Sequence, residues 1–206
     1  MTVEQRLAEV QGRIKAAEKT GHRTAGAVEL VAVSKTFDVE DIRPVIAAGQ
    51  RIFGENRVQE SQSKWPILKQ ETSDIELHLI GPLQSNKAAE AVALFDVIET
   101  VDREKIAAAL AQEMTRQDRK PRLYVQVNIG LEPQKAGIAP KDTAAFLRYC
   151  REDLSLDIEG LMCIPPADDH PGPYFALLRK LAEENGIAKL SMGMSGDFET
   201  AVQFGA

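Results

Sequence analysis

The lysine at position 35 is the residue whose setting most favours chemistry. It follows Leu30-Val31-Ala32-Val33-Ser34, a short apolar run typical of a buried strand. Because side chains alternate along a strand, Lys35 is expected on the same face as Val31 and Val33, where it would be partly desolvated. Desolvation lowers the pKa of a lysine, and a neutral amine can attack an aldehyde to form a Schiff base. The alternative is a lysine whose ammonium group reaches solvent at the rim of the fold.

Two polar clusters follow later predicted strands and precede predicted helices. They are FGENR (53–57) and HLIGPLQSNK (78–87). Asn56 and Ser85 are predicted N-caps, a role that by itself would explain their residue types. His78 alternates with Ile80 and is expected to face the interior, although a lone histidine is more often a hydrogen-bonded core residue than a catalyst.

A turn rich in glycine and serine could bind phosphate. The segment LSMGMSGD (190–197) leads from a predicted strand into a helix. Free backbone N–H groups and the helix dipole favour an anion at such a turn. The alternative is that Asp197 only caps the helix.

The elements that must position these residues alternate between strand and helix. Apolar runs rich in β-branched residues recur at intervals that suit βαβ units and a parallel sheet. The predicted strands cover residues 29–34, 51–54, 76–80, 97–100, 122–128, 157–162 and 189–192. The predicted helices cover Val39–Ala48, Arg57–Leu68, Ser85–Leu94, Arg103–Gln117, Lys141–Glu152, Pro173–Asn185 and Asp197–Phe204. An amphipathic helix that ends near Gly21 precedes them all.

Seven strand–helix units after a leading helix predict an α/β fold, a (β/α)8 TIM barrel with an extra N-terminal helix, as one domain over residues 1–206. A doubly wound sheet is less favoured because no G-x-G-x-x-G motif follows the first strand. The eighth strand is missing, since the sequence stops at Gly205-Ala206, where a helix would hand over to it. We therefore expect a truncated chain whose barrel has two unpaired edges.

Composition disfavours several functional classes. A net charge of -6, with both signs interspersed, argues against nucleic-acid binding. Cys150 and Cys163 have no spacing typical of disulfides or zinc, so we predict buried thiols and no metal. The charged N-terminus lacks the apolar segment of a signal peptide, and no run approaches the roughly 20 apolar residues of a membrane helix. We expect a cytoplasmic protein that binds no membrane.

Five segments together resemble one known family. They are VAVSKT (31–36), FGENRVQE (53–60), HLIGPLQSNK (78–87), GLMCIPP (160–166) and LSMGMSGDFETAVQFGA (190–206). In this order and spacing they resemble the YggS/PROSC family of pyridoxal phosphate homeostasis proteins over nearly the whole chain. The resemblance implies a fold-type III barrel, similar to the N-terminal domain of alanine racemase, with pyridoxal 5′-phosphate (PLP) as its cofactor.

The resemblance also implies roles for individual residues. Lys35 matches the lysine that forms the internal aldimine, and the turn at Ser191–Ser195 helps to hold the phosphate. The implied cofactor-binding residues are Lys35, Asn56, His78, Ser191, Met194 and Ser195. Glu132 and Lys135 match charged positions near the pocket, unless they form only an exposed ion pair. The family continues past the equivalent of Ala206 with an Arg-Ile-Gly strand whose arginine faces the pyridine nitrogen, so barrel closure and cofactor affinity depend on that segment.

For function, the resemblance implies a carrier or regulator in PLP homeostasis and no enzyme. A racemase needs acid/base groups on both faces of its substrate, and alanine racemases bring a tyrosine from an additional domain, whereas Tyr124, Tyr149 and Tyr174 all lie within the barrel portion. Two alternatives stay open: a PLP-dependent racemase or lyase of low activity, and a barrel that binds another phosphorylated metabolite without an imine. The expected partners are PLP and apo PLP-dependent enzymes, and we expect a monomer.

Overall fold

The fold is a curled parallel sheet with helices on its outer face. The computed structural model describes residues 1–206. Its strands are β1 (Ala32–Val33), β2 (Ile52–Glu55), β3 (Glu76–Leu79), β4 (Val97–Val101), β5 (Arg122–Val127), β6 (Ile158–Cys163) and β7 (Lys189–Ser191). Each strand pairs in parallel with the next along the chain, and β1 and β7 form the two edges. The prediction of an incomplete TIM barrel with seven parallel strands is confirmed.

Eight α-helices accompany the strands, and the extra N-terminal helix is confirmed. They are α1 (Val3–Thr20), α2 (Val39–Ala47), α3 (Val58–Glu71), α4 (Ala88–Leu94), α5 (Glu104–Gln117), α6 (Thr143–Arg148), α7 (Gly172–Glu184) and α8 (Phe198–Phe204). Short 3₁₀ turns precede α4 and α6, and a π-helical turn follows α6, so the helices predicted at 85–94 and 141–152 are each divided. No helix is both long and apolar enough to cross a bilayer.

The main core lies between the sheet and these helices. Phe53 of β2 packs against Trp65 of α3 with a distance of 5.1 Å between ring centroids. Leu77 and Leu79 of β3 are fully buried on the same outer face. Burying apolar side chains of this size supplies most of the driving force for covering the sheet with helices.

Charged side chains link the strands at the amino-terminal end of the barrel. Arg122 of β5 contacts both Glu76 of β3 and Glu159 of β6, and Lys189 of β7 lies 3.1 Å from Glu159. The register of β6 against β5 shifts by one residue between Ile158 and Gly160, which makes Glu159 the extra residue of a β-bulge. Alternating charges therefore connect four inner positions of the sheet.

Strand β1 is shorter than predicted. Only residues 32 and 33 pair with β2, whereas the prediction was 29–34. Residues Val28 and Leu30 instead pack against Ile14 and Ala17 of α1, in a small cluster that also contains Val202 of α8. Packing against a helix thus replaces strand pairing over the first residues of the predicted segment.

Candidate functional site

Lys35 lies in a tight turn at the carboxyl end of β1. The Phe37 N–H donates to the Ser34 carbonyl at 3.1 Å, so Lys35 and Thr36 are the central residues of the turn. Ser34 is buried toward α3, as the predicted alternation requires. Lys35 itself is exposed, and Val33 is 47% exposed, so the predicted desolvation is wrong. The physical reason is that β1 has a neighbouring strand on one side only.

Glu99 joins His78 to Ser191 inside the barrel. His78 Nδ1 lies 2.6 Å from one oxygen of Glu99, and the Ser191 hydroxyl donates to the other at 2.5 Å. His78 Nε2 lies 2.7 Å from Glu76. Glu99 and His78 are both buried, whereas Ser191 is half-buried. The structure therefore brings two of the predicted site residues together through a carboxylate.

These contacts determine the charge of His78. A neutral imidazole has one N–H, so both ring nitrogens can donate to carboxylates only when His78 is protonated. Burial alone disfavours the imidazolium, but the hydrogen bonds with Glu76 and Glu99 outweigh it and raise the pKa of His78. The hydrogen bond with His78, helped by Arg122, lowers the pKa of Glu76 to about 2. Protonated His78 thus has no ring nitrogen free for a further ligand.

The free energy of unfolding is expected to fall as the pH rises through the folded-state pKa of His78. Because that pKa is raised, the contribution is fully present below the unfolded value of about 6.5 and is lost above the folded value. His78→Gln should flatten this part of the curve and cost about 1–3 kcal/mol at low pH, since it removes hydrogen bonds from a buried network. Urea unfolding at a series of pH values measures both effects.

The matched control is His22→Asn. His22 is exposed and has φ +53°, a conformation that asparagine tolerates. This variant should keep the pH dependence of the wild type. A wild-type stability that does not change across the titration range would contradict the charge assigned to His78.

A cavity of about 500 Å³ opens at the inner face of the barrel. Its polar lining includes His78, Glu99, Tyr124 and Ser191, together with the charged residues Arg23, Glu29 and Lys189. Burial, followed by the nearby carboxylates, raises the pKa of Tyr124, so its phenol stays protonated. Gly160 makes room for this ring, because a Cβ there would lie 2.4 Å from Tyr124 Cε2.

Asn56 follows β2 and is half-buried, but it is not an N-cap. Helix α3 begins at Val58, and Arg57 occupies the cap position. Ser85 is likewise not a cap, because Gln84 holds that position of the 3₁₀ turn. Both predictions of capping are wrong by one residue. The segment before α3 stays extended through Arg57, one residue longer than expected, whereas the segment before the 3₁₀ turn is extended only through Gln84, one residue shorter. The Asn56 amide therefore remains free for another role.

The predicted phosphate turn is exposed at the carboxyl end of β7. Met194 and Ser195 are both exposed. Asp197 does occupy the N-cap of α8, but its carboxylate accepts from the Met194 N–H at 2.5 Å, within the turn itself. Gly193 has φ +93°, and a Cβ there would lie 2.6 Å from Ala201 Cβ. Glycine is thus required for the turn to lie against α8.

Glu132 and Lys135 form an ion pair in the loop after β5. Their side chains are 22% and 26% exposed, so the ion pair of the alternative is present but is partly buried rather than exposed. Lys135 Nζ also donates to the Pro165 carbonyl at 2.8 Å. The pair therefore connects the loops that follow β5 and β6.

Glu99 was not among the residues predicted from the sequence. The signal for it is an acidic residue within a predicted apolar strand, 97–100, where an unpaired charge would be costly. Alternation places Glu99 on one face with Val97, and the parallel neighbour β3 brings His78 to it. Lys35, Asn56, Met194 and Ser195 do not line the cavity and follow the ends of their strands.

Comparison with known proteins identifies relatives along the full chain. Residues 7–204 match the family model described as alanine racemase, N-terminal domain. A pyridoxal phosphate homeostasis protein of Pasteurella multocida is 38% identical over 216 aligned residues, which cover 100% of this chain and 93% of the relative.

Solved structures agree with this match. PipY of Synechococcus elongatus, solved with PLP bound, is 36% identical with a TM-score of 0.83, over 99% of this chain and 94% of that chain. Alanine racemase of Clostridium difficile is 14% identical with a TM-score of 0.69, over 90% of this chain and 50% of that chain, which shows the fold alone. The chain belongs to the family of pyridoxal phosphate homeostasis proteins, whose barrel is that of the N-terminal domain of alanine racemase.

Proposed function

We propose that this protein binds PLP through Lys35 and serves as a carrier or regulator in PLP homeostasis, without a dedicated substrate. The observation that carries the proposal is the exposed Lys35 amine at the carboxyl end of β1, in a chain 36% identical to a relative solved with PLP bound. Binding and catalytic groups of TIM barrels lie at this end of the strands. An exposed amine there is accessible to a free aldehyde.

The residues present fit the chemistry of the cofactor. When bound, PLP supplies a reactive aldehyde and an electron-withdrawing ring. Lys35 would hold the aldehyde, and the exposed turn would hold the phosphate through the Ser195 hydroxyl and its backbone N–H groups other than that of Met194, which donates to Asp197. Asn56, whose amide is free, would contact the cofactor from the end of β2.

His78 and Ser191 would support the cofactor from within the barrel. Their polar atoms are bound to Glu99 and Glu76, so their role is to form the floor of the site. Both residues would thus belong to the site without donating a hydrogen bond to the cofactor. The reason for His78 is that both of its ring nitrogens are hydrogen-bonded to carboxylates.

A carrier is favoured over a racemase by the state of the acid/base groups in the cavity. A general base must be unprotonated near the working pH. Both ring nitrogens of His78 are already hydrogen-bonded to carboxylates, and burial raises the pKa of Tyr124, so neither side chain offers a free base to a substrate. In addition, an exposed attachment point admits the water that releases a bound aldehyde, whereas enzymes of this kind exclude water.

We place this function in the cytoplasm, with apo PLP-dependent enzymes as recipients and a monomer as the working form. The support for the compartment is that Cys150 and Cys163 are free thiols, and burial raises the pKa of each to about 12. Unreactive buried thiols suit a reducing environment.

The test is a visible absorption spectrum of the purified protein with PLP, before and after borohydride reduction, followed by peptide mapping. We expect a yellow chromophore that reduction fixes on the peptide containing Lys35. Addition of alanine should leave the spectrum unchanged if no amino acid is processed. A protein that takes up no PLP would refute the proposal, and a spectral change with turnover of alanine would favour the racemase.

A further inference from the structure

The turn that carries Lys35 is held from the helix layer by a single buried ammonium group. Lys64 of α3 is 7% exposed, and its Nζ donates to the carbonyls of Ser34 and Phe37, each at 3.0 Å. These two residues are the first and last of the turn. One side chain thus binds both ends of the segment in which Lys35 lies.

The counter-charge for this ammonium is Glu55, at the carboxyl end of β2. Glu55 is fully buried, and its Oε1 lies 2.7 Å from Lys64 Nζ. The same oxygen accepts from the Ser34 hydroxyl at 2.7 Å and from Trp65 Nε1 at 3.1 Å. Strand β2, helix α3 and the end of β1 therefore meet at one carboxylate oxygen.

The Ser34 carbonyl is fully used in this arrangement. It accepts the Phe37 N–H that closes the turn and the Lys64 ammonium. A carbonyl oxygen has two lone pairs, so both are engaged. Hydrogen bonds from a charged donor are about twice as strong as those between neutral groups. An otherwise exposed turn is thus held in one conformation.

We propose that Lys64 is a positioning residue for Lys35, which acts through the backbone of the turn and does not touch the cofactor. The part of this inference that concerns PLP rests on the proposed function. A purely structural reading would make Lys64 one half of a buried ion pair, which is weak evidence for any specific role. The hydrogen bonds from Lys64 to the two carbonyl oxygens distinguish a positioning role from a purely structural one, because they fix the turn and not the packing of α3.

Helix α3 offers a matched control in Lys69. Lys69 Nζ also binds a carboxylate and a carbonyl, those of Asp96 at 2.5 Å and Leu94 at 3.3 Å, but these lie at the α4–β4 connection. Lys64→Met and Lys69→Met therefore remove the same kind of side chain from the same helix. Only the first removes bonds to the turn at Lys35.

Two readouts test the proposal. The first is the exchange rate of the Phe37 amide in the protein without PLP, which should rise about tenfold in Lys64→Met because the bond that closes the turn opens more often. The second is affinity for PLP, measured from the absorption of the adduct at Lys35, which should weaken about tenfold, the loss expected for a hydrogen bond to a charged group. Lys69→Met should match the wild type in both.

A double variant separates loss of the two hydrogen bonds from general destabilisation by an unpaired buried charge. Lys64→Met leaves the Glu55 carboxylate buried without a cation, whereas Glu55→Gln combined with Lys64→Met removes both charges and still lacks the donor to the carbonyls. Faster Phe37 exchange and weaker binding in the double variant would support the proposal. Equal behaviour of the double variant and Lys69→Met would overturn it. A wild type that forms no adduct would refute attachment of PLP at Lys35, and the exchange rates alone would then decide the role of Lys64.

Discussion

Lys35→Ala is expected to abolish covalent attachment of PLP, with at least a 100-fold loss of borohydride-fixed label. The amine is the only group of this residue that can bond to an aldehyde, and alanine removes it. Because Lys35 is exposed and joins no ion pair, the variant should keep its free energy of unfolding within about 0.5 kcal/mol of the wild type. Quantitative peptide mapping and urea unfolding measure the two effects.

The control is Lys120→Ala, which removes another exposed lysine from the connection between α5 and β5. It should take up and fix PLP as the wild type does. If Lys35→Ala still carried PLP fixed by borohydride, another residue would be the site of attachment. Unchanged affinity for PLP without any fixed label would instead favour the alternative of a barrel that binds a phosphorylated ligand without an imine.

Gly81→Ala is expected to destabilise the fold by about 3 kcal/mol, the upper part of the range for overpacking. Gly81 is buried just after β3, and a Cβ there would lie 2.2 Å from the backbone oxygen of Asn56 and 2.6 Å from its Cα. Both are backbone atoms, so no side chain can turn aside. Urea unfolding measures the loss, and weaker binding of PLP should accompany it because Asn56 must move.

Gly12→Ala is the matched control for this substitution. Gly12 lies in the middle of α1, is exposed, and would have no atom within 4 Å of its Cβ. Alanine should therefore stabilise the protein by roughly 0.5–1 kcal/mol, because it lowers the entropy cost of forming the helix. Destabilisation by both substitutions to the same extent would mean that the close approach of Gly81 to Asn56 is not the cause.

Lys35 and Gly81 contribute to the same site in different ways. Lys35 contributes a reactive amine and little to the stability of the fold, whereas Gly81 has no side chain and so allows two backbone segments to approach closely. Its close contact holds the ends of β2 and β3 together, where Asn56 is placed. A site at the ends of parallel strands depends on both kinds of residue.

The alternation of strand and helix could be predicted from sequence alone. Periodicity and turn residues are local properties, and they located all seven strands and the N-terminal helix, although β1 is shorter than predicted. The position of Lys35 directly after the first strand also follows from the local pattern. The family could be predicted because five segments keep its order and spacing.

The environment of each site residue was decided only by the tertiary structure. Lys35 is exposed because β1 lies at an edge, and no local pattern indicates which strands become edges. One of the hydrogen bonds that raise the pKa of His78 exists because β4 brings Glu99 beside it, from 21 positions away in the chain. Lys64 reaches the turn at Lys35 because α3 packs against β2, the strand that pairs with β1. Burial and charge depend on contacts between distant segments, so the sequence determined the elements and the reactive groups, and only the packed fold determined their state.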